Sequence, residues 1–184
     1  MSVELVQGAN TVLPTDPGPM TLVFRWRLLD ARGPATEPVA AAIVCGPDGQ
    51  ALTPDHLVFF NELAAPSGAV RYEADDDAER IEIDLAAVPP EVASVVFLVY
   101  VNPDPRRPGS MTAVRSLSLA VVGPRGTEVA RFAAGRTDDP GIHALILGEV
   151  YRNRDWWKFR AVGQGFARGV DDVVRAYGLR PRTP

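Results

Sequence analysis

Seven carboxylates fall within the twelve residues from Glu73 to Asp84: Glu73, Asp75, Asp76, Asp77, Glu79, Glu82 and Asp84, with Arg80 the single base among them. Acids at that density suit one of two roles. Clustered in a turn, Asp75, Asp76 and Asp77 can supply several of the six to eight hard oxygens that calcium takes. Alternatively, the run is a solvated acidic hairpin whose charge keeps a sheet edge from pairing with other chains.

Other chemistry is sparse. The two histidines, His56 and His143, are far apart and lie in no zinc-ligand spacing. Cys45 is the lone cysteine, so the chain has neither a disulfide nor a dithiol pair. Its place beside an apolar run suits a buried small hydrophobe better than a nucleophile. No nucleophile elbow or phosphate-binding loop is present. Gly163-Gln164-Gly165, followed by Gly169, echoes a dinucleotide fingerprint but lacks the strand–helix–strand unit that gives that motif meaning. The expectation is a protein that is not an enzyme. A hydrolase would need carboxylates gathered from distant parts of the chain.

Composition narrows the partners. The 184 residues carry a net charge of −4 and are 46% hydrophobic, as expected of a chain with a real core. A mildly acidic chain lacks the electrostatic footprint of a nucleic-acid binder and the basic segment that draws proteins to anionic membranes. No apolar run approaches the ~20 residues of a membrane helix, so no direct membrane insertion is expected. The opening MSVELVQGAN has no basic-then-apolar signal pattern. With one cysteine, this predicts a cytoplasmic protein.

The elements that would carry these residues are mostly strands. Thr21 to Leu28 alternates, with Leu22, Phe24, Trp26 and Leu28 on one face and Arg25 and Arg27 on the other. Val39 to Cys45, Leu57 to Phe60, and Arg80 to Leu85 read as further strands, the last with Ile81, Ile83 and Leu85 inward. Val95 to Val101 is a continuous β-branched and aromatic run, suited to a central buried strand. Ser116 to Val122 and Thr127 to Phe132 flank a Gly-Pro-Arg-Gly turn. Pro89-Pro90-Glu91 marks a turn. Ala144 to Arg152 and Trp157 to Val162 form a last pair around Asn153-Arg154-Asp155. Gly163-Gln164-Gly165 is predicted to turn the chain into a helix from about Phe166 to Tyr177, stopped by Gly178. The prediction is an all-β, two-sheet β-sandwich of about ten strands with a C-terminal helix. It forms one domain over residues 1–180, with 181–184 as a tail.

One stretch is more specific than any pattern of periods. Gly148 to Val170 reads GEVYRNRDWWKFRAVGQGFARGV. It closely resembles the end of TerD-family chains, with their Gly-Glu-Leu-Tyr-Arg start, Trp-Lys-Phe-Arg-Ala centre and Val-Gly-Gln-Gly close. Weaker matches run along the chain: Val3 to Asn10 as an opening strand, Asp30-Ala31-Arg32, Gly46 with Asp48-Gly49, Phe59-Phe60-Asn61, Ile81 to Pro90, and Thr127 to Phe132. Within the strongest match, Trp157, Phe159 and Ala161 alternate with Lys158 and Arg160, which points to a structural role.

The resemblance implies a β-sandwich, calcium binding (Ca2+) in typical members, and a bacterial role in resistance to tellurite and other stresses. It also implies protein partners in a stress-response assembly. This chain departs from the family where calcium chemistry is expected. The acidic loop is short and lacks glycine. Glu37 and Val39 stand where the family has two Asp, and Glu62 replaces a second Asn after Asn61. The expected site is therefore a reduced one. Its metal ligands would be Glu37, Asp75, Asp76 and Asp77, with Asp30 and Asn61 nearby. A cation-dependent sensor that binds partners through the acidic loop is the alternative.

Overall fold

The computed structural model describes residues 1–29, 36–75, 78–103 and 109–181, with the backbone alone at Asp75. Among these residues, twelve strands run in chain order: β1 Val3–Leu5, β2 Asn10–Val12, β3 Met20–Leu28, β4 Pro38–Cys45, β5 Leu57–Val58, β6 Val70–Asp75, β7 Ala78–Ile83, β8 Ser94–Val101, β9 Val114–Val122, β10 Glu128–Ala134, β11 Ala144–Asn153 and β12 Trp156–Phe166. Among the described residues one α-helix, α1, spans Val170–Ala176. The first sheet has the order β1-β10-β9-β3-β7-β6 and the second β2-β12-β11-β8-β4-β5. The all-β sandwich with a terminal helix is thus as the sequence predicts.

Alternation builds the core. Leu22, Phe24, Ile81, Ile83, Leu119 and Val121 of the first sheet meet Ala42, Val95, Phe97, Val99 and Phe159 of the second, all buried. Phe24 and Phe97 touch across the sheets with ring centroids 6.4 Å apart. Every residue of β4 and β8 is buried. One face of these strands enters this core, while Val39, Ala41, Ile43, Val96, Leu98 and Tyr100 lie on the other face beneath α1 and its Val173. That explains why Val95 to Val101 shows no alternation: a strand covered on both faces has no polar side.

Three expectations change. The opening segment is two strands in opposite sheets, joined by a turn at Gly8, whose φ is +84°. β1 pairs with β10 and β2 with β12. The segment Gly163-Gln164-Gly165 is not a turn, because β12 continues through it to Phe166. Gly163 has φ +71°, and a Cβ there would come within 3.2 Å of the Phe132 ring, so glycine lets the two sheets close. The helix consequently begins four residues later than predicted, at Val170 rather than Phe166. It ends as predicted: Gly178 takes φ +74°, and the Leu179 N–H bonds the Val174 carbonyl at 2.8 Å.

Candidate functional site

The two ends of the sandwich are built differently. At one end lie the turns from Gly46 to Gln50 and from Asp84 to Ala93, and the tight β11–β12 hairpin. At the other, β3 ends, β4 begins, β6 turns into β7, and β8 ends. The acidic run belongs to this second end.

Glu79 is the residue that the architecture singles out. Ile81 and Ile83 point into the core, so period two turns Glu79 inward on the same strand. Its carboxylate reaches across to the other sheet, where Oε2 accepts the Ala40 N–H at 2.5 Å. That N–H needs a partner because β5 is two residues long and pairs β4 only at Ala42 and Ile43. The Tyr72 hydroxyl donates to the same carboxylate. Burial pushes the Glu79 carboxyl above its ordinary value. The Ala40 and Tyr72 hydrogen bonds pull it down, and the nearby charge of Glu37 raises it again. Tyr72 and Tyr100 are both pushed up, first by burial and then by the charge of Glu79.

Glu37 stands beside this group, just before β4. Its Oε2 accepts the Asn102 side-chain amide at 3.2 Å, and its carbonyl accepts the Asn102 N–H at 2.9 Å. Asp75 closes β6, its backbone opposite Ala78. Asp76, Asp77 and Asp30 lie outside the described residues. Asn61 is exposed in the turn closed by reciprocal bonds between Phe59 and Glu62. Val39 is buried against α1 and offers no oxygen. Among the described residues, no group of three His, Cys, Asp or Glu side chains is placed to hold a metal. Glu37 and Glu79 supply two carboxylates, both already accepting hydrogen bonds, against the six to eight oxygens calcium requires. By themselves these described donors do not fit a calcium ion.

The remaining reactive types are occupied elsewhere. Burial pushes the Cys45 thiol up to about 12, reinforced by the charges of Glu149 and Asp48, so it stays protonated. His56 Nδ1 lies 2.7 Å from the Thr53 hydroxyl. His143 Nδ1 lies 2.8 Å from both the Gly141 and Ala167 carbonyls.

The strongly matched C-terminal stretch is architectural. Phe159 and Ala161 are fully buried, whereas Arg160 is exposed and pairs with Glu149. Arg152 has a role that sequence reasoning did not assign. Its guanidinium donates to the carbonyls of Val92 at 2.9 Å, Val88 at 3.0 Å and Pro89 at 3.1 Å. It also stacks 4.3 Å from the Trp157 ring centre. It thereby pins the proline turn to the β11–β12 hairpin.

Comparison with known proteins agrees with this architecture. The TerD domain family model matches residues 1–177. Tellurium resistance protein TerD of Serratia marcescens is 34% identical over 191 aligned positions, covering 97% of this chain and 98% of the relative. TerD of an Alcaligenes species is 32% identical with the same coverage. General stress protein 16U of Bacillus subtilis (strain 168) is 27% identical, over 72% of each chain. In fold, the chain superposes on a TerD homologue from Streptomyces coelicolor A3(2), described as a homologue of telluride resistance protein. The TM-score is 0.66 at 19% identity, covering 90% of this chain and 100% of that one. Among the described residues, no helix is long and apolar enough to cross a membrane. With a family model spanning nearly its whole length and two relatives above 30% identity, the chain belongs to the TerD family of tellurium-resistance and stress-response proteins.

Proposed function

We propose that this chain is a non-enzymatic binding module of a bacterial, cytoplasmic stress-response assembly, acting through protein partners, with a calcium site weakened relative to its relatives. The observation that carries this reading is the Glu79 bridge. The inward carboxylate at the acidic end is spent on Ala40 of the opposite sheet and on Tyr72, so the sheets are joined there by the protein's own donors. Family membership supplies the stress-response context, and the buried, protonated Cys45 supports a role without thiol chemistry.

Calorimetric titration of metal-stripped protein with calcium tests the weakened site. The expected result is no saturable heat, and no shift of the melting temperature, below millimolar calcium. A stoichiometric site with a micromolar Kd would overturn it. That result would favour the alternative, a cation-dependent sensor that presents the acidic loop to its partners. The alternative draws on one feature: Glu37 and Glu79 lie close enough for their charges to repel, and a cation would relieve that repulsion. For the partner role, affinity capture from the native host with matched controls should return specific stress proteins; an empty capture counts against it.

A further inference from the structure

β12 has 11 residues, but its outer edge is covered over only part of that length. β2 pairs with it at Lys158, Phe159 and Arg160. Gly8 then donates to the Ala161 carbonyl, and Ala9 accepts the Ala161 N–H, both at 2.9 Å. There the covering stops, because the chain turns at Gly8 and its preceding residues belong to β1 of the other sheet. β1 in turn pairs with β10 only as far as Phe132. Nearer the acidic end, this side of the sandwich is therefore open between the two sheets. A cleft of about 870 Å³ lies there, between residues 4–7 and the β12 edge at Gly163 and Gly165, with Leu5, Phe132, Ile142 and Leu145 as its apolar lining.

The direction of the backbone groups along this edge follows from the register. The His143 carbonyl accepts the Val101 N–H of β8 at 2.8 Å, so by alternation Leu145 also turns its backbone groups toward β8. Gly165, opposite Leu145, consequently points its N–H and carbonyl away from β11 and toward the cleft. Neither group has a hydrogen-bond partner among the described residues. The Gly163 carbonyl is reached only by the Gln7 side-chain amide, at 3.4 Å, a long contact.

An unpaired strand edge beside an apolar lining selects an extended backbone. Charge selects nothing further here. Arg136 pairs with Asp138 at 3.7 Å, Asp139 accepts the Gly141 N–H at 2.8 Å, and Glu4 lies near Arg131. Sheets pack about 10 Å apart, so with residues 4–7 as the opposite wall the cleft has room for one strand and not for the edge of a second folded sheet.

We propose that this cleft takes an uncharged extended segment of a partner protein as an added strand, antiparallel to β12 and in line with β2. A β-branched residue of that segment lies opposite Gly165 and exchanges both backbone hydrogen bonds with it. Leu145 faces the core, so the residue opposite Gly165 also turns its side chain inward, toward Phe132 and Ile142. The inference rests on the reading of this chain as a module acting through protein partners, and it gives the form of the partner.

Hydrogen exchange at the Gly165 amide, followed by NMR on the full chain, tests it with acetyl-Thr-Val-Thr-Val-Thr-amide as the probe. Without peptide this amide should exchange as an unprotected one. Saturating peptide should slow it about fivefold or more, as one ordinary hydrogen bond would. N-methylation of the peptide separates backbone pairing from side-chain contact. Methylating both valines, whose N–H groups face β12, should weaken binding about fivefold or more, whereas methylating the central threonine should leave it unchanged. No slowing at Gly165 with millimolar peptide, or an equal loss from the two methylations, would overturn the inference. Specific capture of host proteins by a chain whose Gly165 amide stays unprotected would overturn the strand site and leave the partner role intact. Protection at Gly165 with an empty capture would support the site and count against the partner role alone.

Discussion

The two ends of this sandwich solve the same problem with opposite charge. Each must tie loops to strands where sheet hydrogen bonding runs out. At the hairpin end a cation does so: Arg152 reaches three carbonyls of the proline turn and stacks on Trp157. At the acidic end an anion does so: Glu79 takes the orphan N–H of Ala40 and the hydroxyl of Tyr72. The cation's partners are carbonyls in a local turn, whereas the anion's partners join two sheets. The hairpin end lies within the stretch that most resembles the family, and the acidic end is where the resemblance thins. The well-matched stretch thus holds the fold, while the divergent end is free to change its chemistry once an internal bridge secures it.

The largest expected effect strikes the strand pair that carries the hairpin, in its middle. Gly148 lies beside a register shift in β11, where a Cβ would meet the Phe159 ring at 2.5 Å and the Arg160 carbonyl at 3.0 Å. Gly148→Ala should cost about 3 kcal/mol, the upper part of the overpacking range, because one obstacle is backbone and cannot rotate away. Chemical denaturation would show the loss; a change below about 0.5 kcal/mol, the size of an ordinary surface substitution, would mean that Phe159 moves aside freely.

Next comes Arg152→Ala, which strips three carbonyls of their donor and should cost about 2 kcal/mol, discounted because the side chain is partly solvated. Arg152→Lys should recover little of this, since an ammonium lacks the planar fork that serves separate carbonyls at once. Equal stability of the Lys variant and the parent would show that charge alone matters there.

Much of this was legible and some was not, for identifiable reasons. Thr21 to Leu28 and Arg80 to Leu85 were readable because one buried face imposes period two. The strands Val3–Leu5 and Asn10–Val12 were not separable, as three residues carry no period. Gly163 and Gly165 read as a turn because glycine is locally permissive. Only the approach of Phe132 from the other sheet shows why the strand needs a glycine there. Glu79 counted as one acid of seven, although its spacing from Ile81 and Ile83 already placed it on the inward face. What the sequence concealed is the shortness of β5, which leaves the Ala40 N–H in need of an acceptor. The Arg152 clamp was similarly hidden, since its partners are backbone carbonyls about sixty residues away.

The Glu79 bridge gives a smaller and more diagnostic pair. Glu79→Ala leaves the Ala40 N–H and the Tyr72 hydroxyl without their acceptor and should cost about 1–2 kcal/mol. Glu79→Gln keeps an acceptor for Ala40 and removes the buried charge, so it should fall within about 0.5 kcal/mol of the parent. If the Ala and Gln variants were equally destabilised, the negative charge rather than the hydrogen-bond geometry would be what holds this end, and the contrast with Arg152 would sharpen into one of charge alone.

The smallest effect tests whether the hairpin end tolerates a second cation. His56 lies there, near Glu91 of the proline turn, and burial lowers its pKa despite the opposing charges of Asp55 and Glu91. The folded state therefore favours the neutral ring. A depressed pKa contributes stability that is present above the unfolded value and lost as pH falls through the folded one. Between pH 7.5 and pH 5 the melting temperature of the parent should accordingly drop slightly more than that of His56→Asn, which has no ring to protonate. Comparing the two proteins cancels the titration of the acids they share. A parent that gained stability relative to the variant on acidification would show that the charges of Asp55 and Glu91 outweigh burial, and that this end accepts a protonated His56 in addition to Arg152.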